Sequence, residues 1–269
     1  MKVFRICLVL WIVPFCLSAV DNFRLPGIRS MGMGGNGVTQ SVLFNPALTA
    51  FHENRILSID YFNRYGLKEL GTVSAGLVYP NEWLPFAVDI ASFGYDAYRQ
   101  TQFRLAAGKR LNERWWLGVS VQYSLLQTEL CEEVPMRLST DVGFLFSPVD
   151  KLLMGVLIMD FPSFCIEKSM IDTKEFSMYA VQIGFQWQII NSLLIVGTLE
   201  TNKDNALGGN VGMEYMPFEG FRLRAGIQTT PLLPALGMGY SFSKFTLDVV
   251  ASYHPVLGIS SGCGLSYSF

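Results

Sequence analysis

The side chains best able to do chemistry in this chain are charged residues that recur on one face of alternating segments. Arg222 and Arg224 stand in Phe221-Arg222-Leu223-Arg224-Ala225-Gly226-Ile227. At a period of two, both guanidinium groups leave the strand on the face opposite Phe221, Leu223, Ala225 and Ile227. Two such forks on one face can grip a carboxylate or an anionic head group. Arg104, Arg137, Asp141, Glu214 and Asp248, with Asp60 and Asp89, occupy the equivalent non-apolar faces of their own segments. Pairing among themselves, simply to fill an interior, is the plainer role for these groups.

Other chemistry is poorly supported. Only His52 and His254 occur, and neither has a second histidine or cysteine at ligand spacing, so neither a metal site nor a cofactor is expected. With so few histidines a nucleophilic triad is doubtful, and the chain does not read as an enzyme. Gly32, Gly34 and Gly37 fit the spacing G-x-G-x-x-G, but no strand precedes them and no helix-forming stretch follows, so a dinucleotide site is not implied. With Gly35 they read instead as tight backbone turns in a confined space. Cys131 and Cys165 fall in expected loops and form a candidate disulfide, whereas Cys263 belongs to an apolar row.

The elements that must position these residues are short alternating strands. Tyr179-Val181-Ile183-Phe185-Trp187-Ile189 is apolar at every second residue, with Gln182, Gly184, Gln186 and Gln188 between. Trp115 to Leu125 and Leu138 to Phe146 alternate in the same way. The pattern predicts about fourteen strands (twelve to sixteen): 55–62, 71–80, 83–93, 99–109, 113–127, 136–146, 151–161, 176–188, 191–201, 208–216, 220–228, 235–242, 244–253 and 259–269. The connections are expected to alternate, four residues or fewer at one end and five or more at the other. The last strand ends on Phe269, and its row Cys263-Leu265-Tyr267-Phe269 reads as a closing strand with an assembly signal in Tyr267 and Phe269.

Composition and charge narrow the setting. Only 16% of residues are charged while 50% are hydrophobic, against about 25% charged in an average soluble domain. A formal net charge of −2 with both signs dispersed leaves no nucleic-acid footprint. Residues 1–19 carry Lys2 and Arg5, an apolar run from Cys7 to Phe15 and a small residue at Ala19, the form of a secretory signal peptide. Beyond it no apolar run is long enough to span a bilayer as a helix. Such an exported chain is a membrane β-barrel or, as a minor alternative, a soluble all-β protein.

Two blocks carry a family resemblance. Arg29-Ser30-Met31-Gly32-Met33-Gly34-Gly35 followed by Phe44-Asn45-Pro46-Ala47 resembles the opening of FadL-like outer-membrane proteins, including the PorV/PorQ branch associated with type IX secretion. Gly212–Pro217, Phe221–Gly226 and Leu236–Tyr240 resemble the same superfamily's last strands. The resemblance implies a transmembrane antiparallel barrel over 55–269, with residues 20–54 as a plug inside the lumen built on Gly32, Gly34, Gly35, Gly37, Asn45 and Pro46. It implies residence in the outer membrane of a Gram-negative bacterium, contact with outer-membrane lipid and insertion by barrel-assembly machinery, while the expected short connections, as periplasmic turns, put both termini on the periplasmic side. Two functions are then expected: a channel or transporter for small hydrophobic or amphipathic compounds, with a hydrophobic ligand as partner, or a docking platform for secretion-system proteins.

Overall fold

The computed structural model describes residues 24–129, 136–166, 179–202 and 207–269. Among the described residues fifteen strands form one sheet in which every neighbouring pair is antiparallel. They are β1 (Ile56–Asn63), β2 (Gly71–Tyr79), β3 (Phe86–Tyr95), β4 (Tyr98–Asn112), β5 (Trp115–Thr128), β6 (Met136–Val149), β7 (Leu152–Met159), β8 (Ser163–Cys165), β9 (Ala180–Ile190), β10 (Leu193–Asn202), β11 (Leu207–Phe218), β12 (Phe221–Thr229), β13 (Leu232–Phe242), β14 (Phe245–His254) and β15 (Gly258–Ser268). β8 carries β7's pairing with β6 onward past a break at Asp160–Pro162, so the two make one broken strand and the wall has fourteen. Pairing of β1 with β15 and of β5 with β6 closes the sheet on itself. Closure removes the free edges that an open sheet would expose.

The alternation in the sequence becomes the two sides of this wall. On β15, Ile259, Ser261, Cys263 and Leu265 are exposed outward, while Ser260 and Gly264 are buried inward. The outward face is apolar around the ring, from Leu57 and Ile59 on β1 to Leu247 on β14. At the rim bearing the start of β1 and the end of β15, aromatic rings run along and across the strands: Tyr240 stacks on Phe242 and Tyr267 on Phe269 along the chain, while Phe245 of β14 meets Phe242 of β13 and Tyr267 of β15. Tyr79–Phe86 and Phe218–Phe221 continue this girdle. Such belts of rings mark the interface zone of membrane barrels.

The alternation of long and short connections is weaker than the sequence implies. At the rim just described most turns hold only two residues, as at 113–114, 150–151 and 243–244, but the β2–β3 connection runs over 80–85. At the other rim β3–β4, β12–β13 and β14–β15 turn through only 96–97, 230–231 and 255–257. The ladders Tyr95↔Tyr98 and Thr229↔Leu232 draw residues expected in loops into the hairpins. Strand seven, expected unbroken over 151–161, is interrupted where Asp160 takes φ 54°, which turns its carboxylate inward. Cys131 lies outside the described residues, so the candidate disulfide with Cys165 has one partner there.

Residues 24–55 precede the wall. They form one short helix, α1 (Ile28–Gly32), and a 3-10 helix (Pro46–Ala50) begun by Asn45. α1 packs on β12–β15 and β1, while the 3-10 helix packs on β3–β6. A segment touching both halves of a closed ring through its inward faces lies in the lumen. The core of the protein is therefore the joint between this plug and the wall. Val42, Ala47 and Leu48 pack with Val78, Ala106, Trp116 and Leu145, and Val38 and Phe44 pack with Leu157 and Met159.

Candidate functional site

The site is the plugged lumen, and small residues make the plug's close fit possible. Gly108, Gly118 and Gly143 lie side by side on β4, β5 and β6. A Cβ on Gly118 would overlap the backbone of Pro46 and Ala47, and one on Gly143 would overlap Asn45 Oδ1. Across the ring, a Cβ on Gly226 would overlap the backbone of Met33 and Gly34. Asn45, fully buried, accepts from the Ala47 N–H at 3.0 Å and donates to the Val38 carbonyl at 2.8 Å. One side chain thus ties two turns of the plug and satisfies a buried N–H and a buried carbonyl. Gly34 and Gly35 adopt φ of 77° and 79°, where a β-carbon would strain the chain. Gly32 sits against Gly237, and Gly37 beneath the Phe44 ring.

Two clusters of charge hold the plug at opposite walls. In the first, Arg24 reaches Asp141 at 3.2 Å and Asp160 at 4.0 Å, and donates to Gln122. Arg137 meets Asp160 at 3.1 Å, and Arg104 lies 3.7 Å from Asp89 and 3.8 Å from Asp141. Asp141 also accepts from Ser120 Oγ at 2.9 Å and from the Asp160 N–H at 3.0 Å. Arg104 turns its guanidinium to the plug backbone, donating to the carbonyls of Leu43 and of Phe44, the latter at 3.0 Å. Burial opposes the charge on Arg24, but the carboxylates of Asp141, Asp160 and Asp89 outweigh it and raise its pKa. Arg24 is therefore locked as a cation in the plug's first described turn.

In the second cluster Glu214 on β11 is shared. Arg29 of α1 approaches it at 2.8 and 3.0 Å, and Arg224 on β12 at 2.7 Å. Arg224 also binds Asp248 at 2.6 Å. The two anchors differ in exposure: the Arg24 side chain is 6% exposed and that of Arg29 is 42%. His52, where the plug joins β1, is partly buried, and burial with the nearby Arg29 charge lowers its pKa to about 4.

The structure brings Arg104, Arg137 and Asp141 into the first cluster and Glu214, Arg224 and Asp248 into the second. Arg222 and Arg224 both face inward, yet they do not act as a pair. Arg224 is consumed by Glu214 and Asp248, while Arg222 donates to Ser241 Oγ at 2.6 Å. Asp60 is buried beside Gly264 and Gly27 of the plug. Tyr267 and Phe269 stack on the outer rim, and the Phe269 N–H donates to the Arg55 carbonyl, tying the two ends of the ring. Sequence reasoning missed Arg24, Arg29, Gln122 and Asp160. The arginines had a signal, being the only charges between residues 24 and 51. Asp160 had none, because its inward direction depends on the strand break.

Gly258-Ile259-Ser260-Ser261-Gly262 fits the spacing of a nucleophile elbow, which belongs on a strand–turn–helix junction. Here it opens β15, Ser260 Oγ accepts from the Tyr65 N–H at 3.1 Å, and His254 Nδ1 accepts from Val256 and Leu257. Among the described residues no group of three or more His, Cys, Asp and Glu could hold a metal ion.

No family model matches the chain, and no curated protein matches it. Solved structures do. The CymD monoaromatic hydrocarbon channel superposes with a TM-score of 0.65 at 14% identity, covering 92% of this chain and 99% of that one. The toluene transporter TodX of Pseudomonas putida gives 0.64 at 11% identity, over 90% and 97% of the two chains. A FadL homologue of Pseudomonas aeruginosa gives 0.56 at 11% identity, over 90% and 96%. At these identities the likeness establishes the fold alone: a closed antiparallel barrel of the shape these channels have.

Proposed function

We propose that this protein is an outer-membrane channel that passes small hydrophobic or amphipathic compounds around or past its plug. The observation that carries the reading is the combination of a FadL-like fold with a lumen occupied by a plug held through ion pairs. The named fold neighbours are hydrocarbon channels and a toluene transporter, and the same class of compound is proposed for this chain. An apolar outward face with an aromatic girdle suits a lipid surrounding. In this reading residues 1–19 direct export, residues 20–54 form the plug and 55–269 the barrel. The barrel-assembly machinery inserts it with the β1/β15 rim toward the periplasm.

Two features support a route for the ligand. The more exposed Arg29–Glu214 contact is the easier of the two anchors to break. The wall strand formed by β7 and β8 breaks at Asp160–Pro162, where Asp160 takes φ 54°. That break favours sideways release into the bilayer over passage along the axis. The test is uptake of a labelled monoaromatic hydrocarbon by cells with and without the protein, and by vesicles reconstituted with it. Uptake equal to that of empty vesicles would defeat the transport reading.

The docking platform for secretion-system proteins is the weaker reading, because the turns at 96–97, 230–231 and 255–257 offer little surface of their own. Co-purification of secretion components with the intact protein would favour it instead.

A further inference from the structure

A barrel is convex outside, yet this wall carries a concavity of about 810 Å³ on its outer face. The outward side chains that line it are apolar, from Leu57 on β1 through Ala75 and Leu77 on β2 and Val88 and Ile90 on β3 to β4 and β5, and the inward-turned Gly76, Asp89 and Arg104 border it as well. The recess follows β2, whose outward Ala75, Leu77 and Tyr79 are only partly exposed while Leu57, Ile59, Val88 and Ile90 on either side stand out. The cause lies inside. Leu43 of the plug packs against the inner face of Gly76, and Arg104 is drawn onto the carbonyls of Leu43 and Phe44. Gly76, with no side chain, lets the plug come close to the wall there.

The recess ends at a cation. Two residues before Leu57, and so on the same outward side, Arg55 lies over the Tyr79 ring at 4.4 Å, and Tyr79 stacks on Phe86. Lys109 on β4 is outward nearer the same rim, while Glu53 and Glu82 lie beyond, in the connections. The turn after β2 presents Trp83, 92% exposed and held by Asn81 Oδ1, which accepts from the N–H groups of Trp83 and Leu84. An exposed indole and a cation at the same rim of an apolar trough are the arrangement of a lipid interface.

We propose that this trough is a binding site for one bilayer phospholipid, its acyl chain lying along Ala75–Leu77 and its phosphate on Arg55. The assignment rests on the membrane-barrel reading. Ala75 is the residue that leaves room for the chain, and the guanidinium supplies the fork that a phosphate accepts. Annular lipid elsewhere would slide over convex wall with fewer contacts and exchange quickly.

The test uses the full-length protein reconstituted in phosphatidylethanolamine and phosphatidylglycerol vesicles, extracted in mild detergent and weighed by native mass spectrometry. Wild type should keep one phospholipid. Ala75→Trp fills the trough and should lower that occupancy roughly tenfold, whereas Met213→Trp, equally outward on the opposite wall, should leave it unchanged. Arg55→Gln should retain less phospholipid than wild type, and equal retention would overturn the phosphate assignment. A heat-dependent gel shift reports whether each variant is an inserted barrel. An inserted wild-type barrel carrying no phospholipid overturns the site but leaves the barrel standing, as does equal retention in Ala75→Trp. Retention of added toluene but no phospholipid also overturns it. Extraction in buffer without detergent overturns the barrel reading itself.

Discussion

Arg24 carries the first consequence at the scale of single residues. Its guanidinium is buried between Asp141 and Asp160, and removing one partner of a buried, hydrogen-bonded charge pair costs about 3–5 kcal/mol. Arg24→Ala should therefore loosen the plug strongly, while Arg29→Ala, at a site 42% exposed, should do so less. Hydrogen exchange over residues 24–51 measures both, and an equal effect of the two would contradict the ranking. His52 gives a pH dependence. Its pKa falls from about 6.5 when unfolded to about 4 in place, so the native form disfavours the proton. Stability from this group is intact above pH 6.5 and declines as pH falls from there to about 4. Thermal unfolding of wild type should lose stability across that window relative to His52→Gln. Parallel curves for the two proteins would refute it.

At the scale of elements, the 3-10 helix Pro46–Ala50 sits directly on the glycine row of β4–β6. Gly118→Val would place two methyl groups where the backbone of Pro46 and Ala47 runs. The expected outcome is an intact barrel by gel shift with a displaced plug, read as raised ion conductance across a planar bilayer and faster proteolysis near Ala47. Overpacking of this sort costs about 1–3 kcal/mol when the surroundings can yield, and a plug segment yields more readily than a closed wall. The last strand supports a different expectation. Phe269 joins the ring stack on Tyr267 and its N–H bonds the start of β1. Deleting it should lower the amount of inserted protein severalfold at unchanged synthesis. Normal insertion with altered transport would instead make it a functional residue.

At the scale of the whole molecule, wall and plug are complementary in charge. The inward faces carry Asp60, Asp89, Asp141, Asp160, Glu200, Glu214 and Asp248 against Arg104, Arg137, Arg222 and Arg224, and the plug brings Arg24 and Arg29. The plug is thus the counter-ion of its own barrel as well as its filling. A chain lacking residues 24–51 should form a barrel with an open and cation-favouring lumen, because surplus carboxylates would then face water. Reversal potentials in asymmetric salt would check the sign, and anion preference would count against it.

What was legible in the sequence was whatever depends on a period of two. The fourteen segments, their apolar outward faces and the inward direction of Arg104, Asp141, Glu214 and Asp248 follow from alternation alone, since a strand assigns each residue to a face by its parity. The glycines of 32–37 and the pair Asn45-Pro46 could be read as a turning segment from their backbone preferences. Tertiary structure alone decided which inward charges meet. The pairing of Arg224 with Glu214 and Asp248 instead of with a ligand, and the reach of Arg24 to residues more than a hundred positions away, arise from ring closure and shear. Parity fixes direction but carries no information about which strand lies across the lumen. That depends on how far the sheet curves before it closes, and on where the plug comes to rest within it.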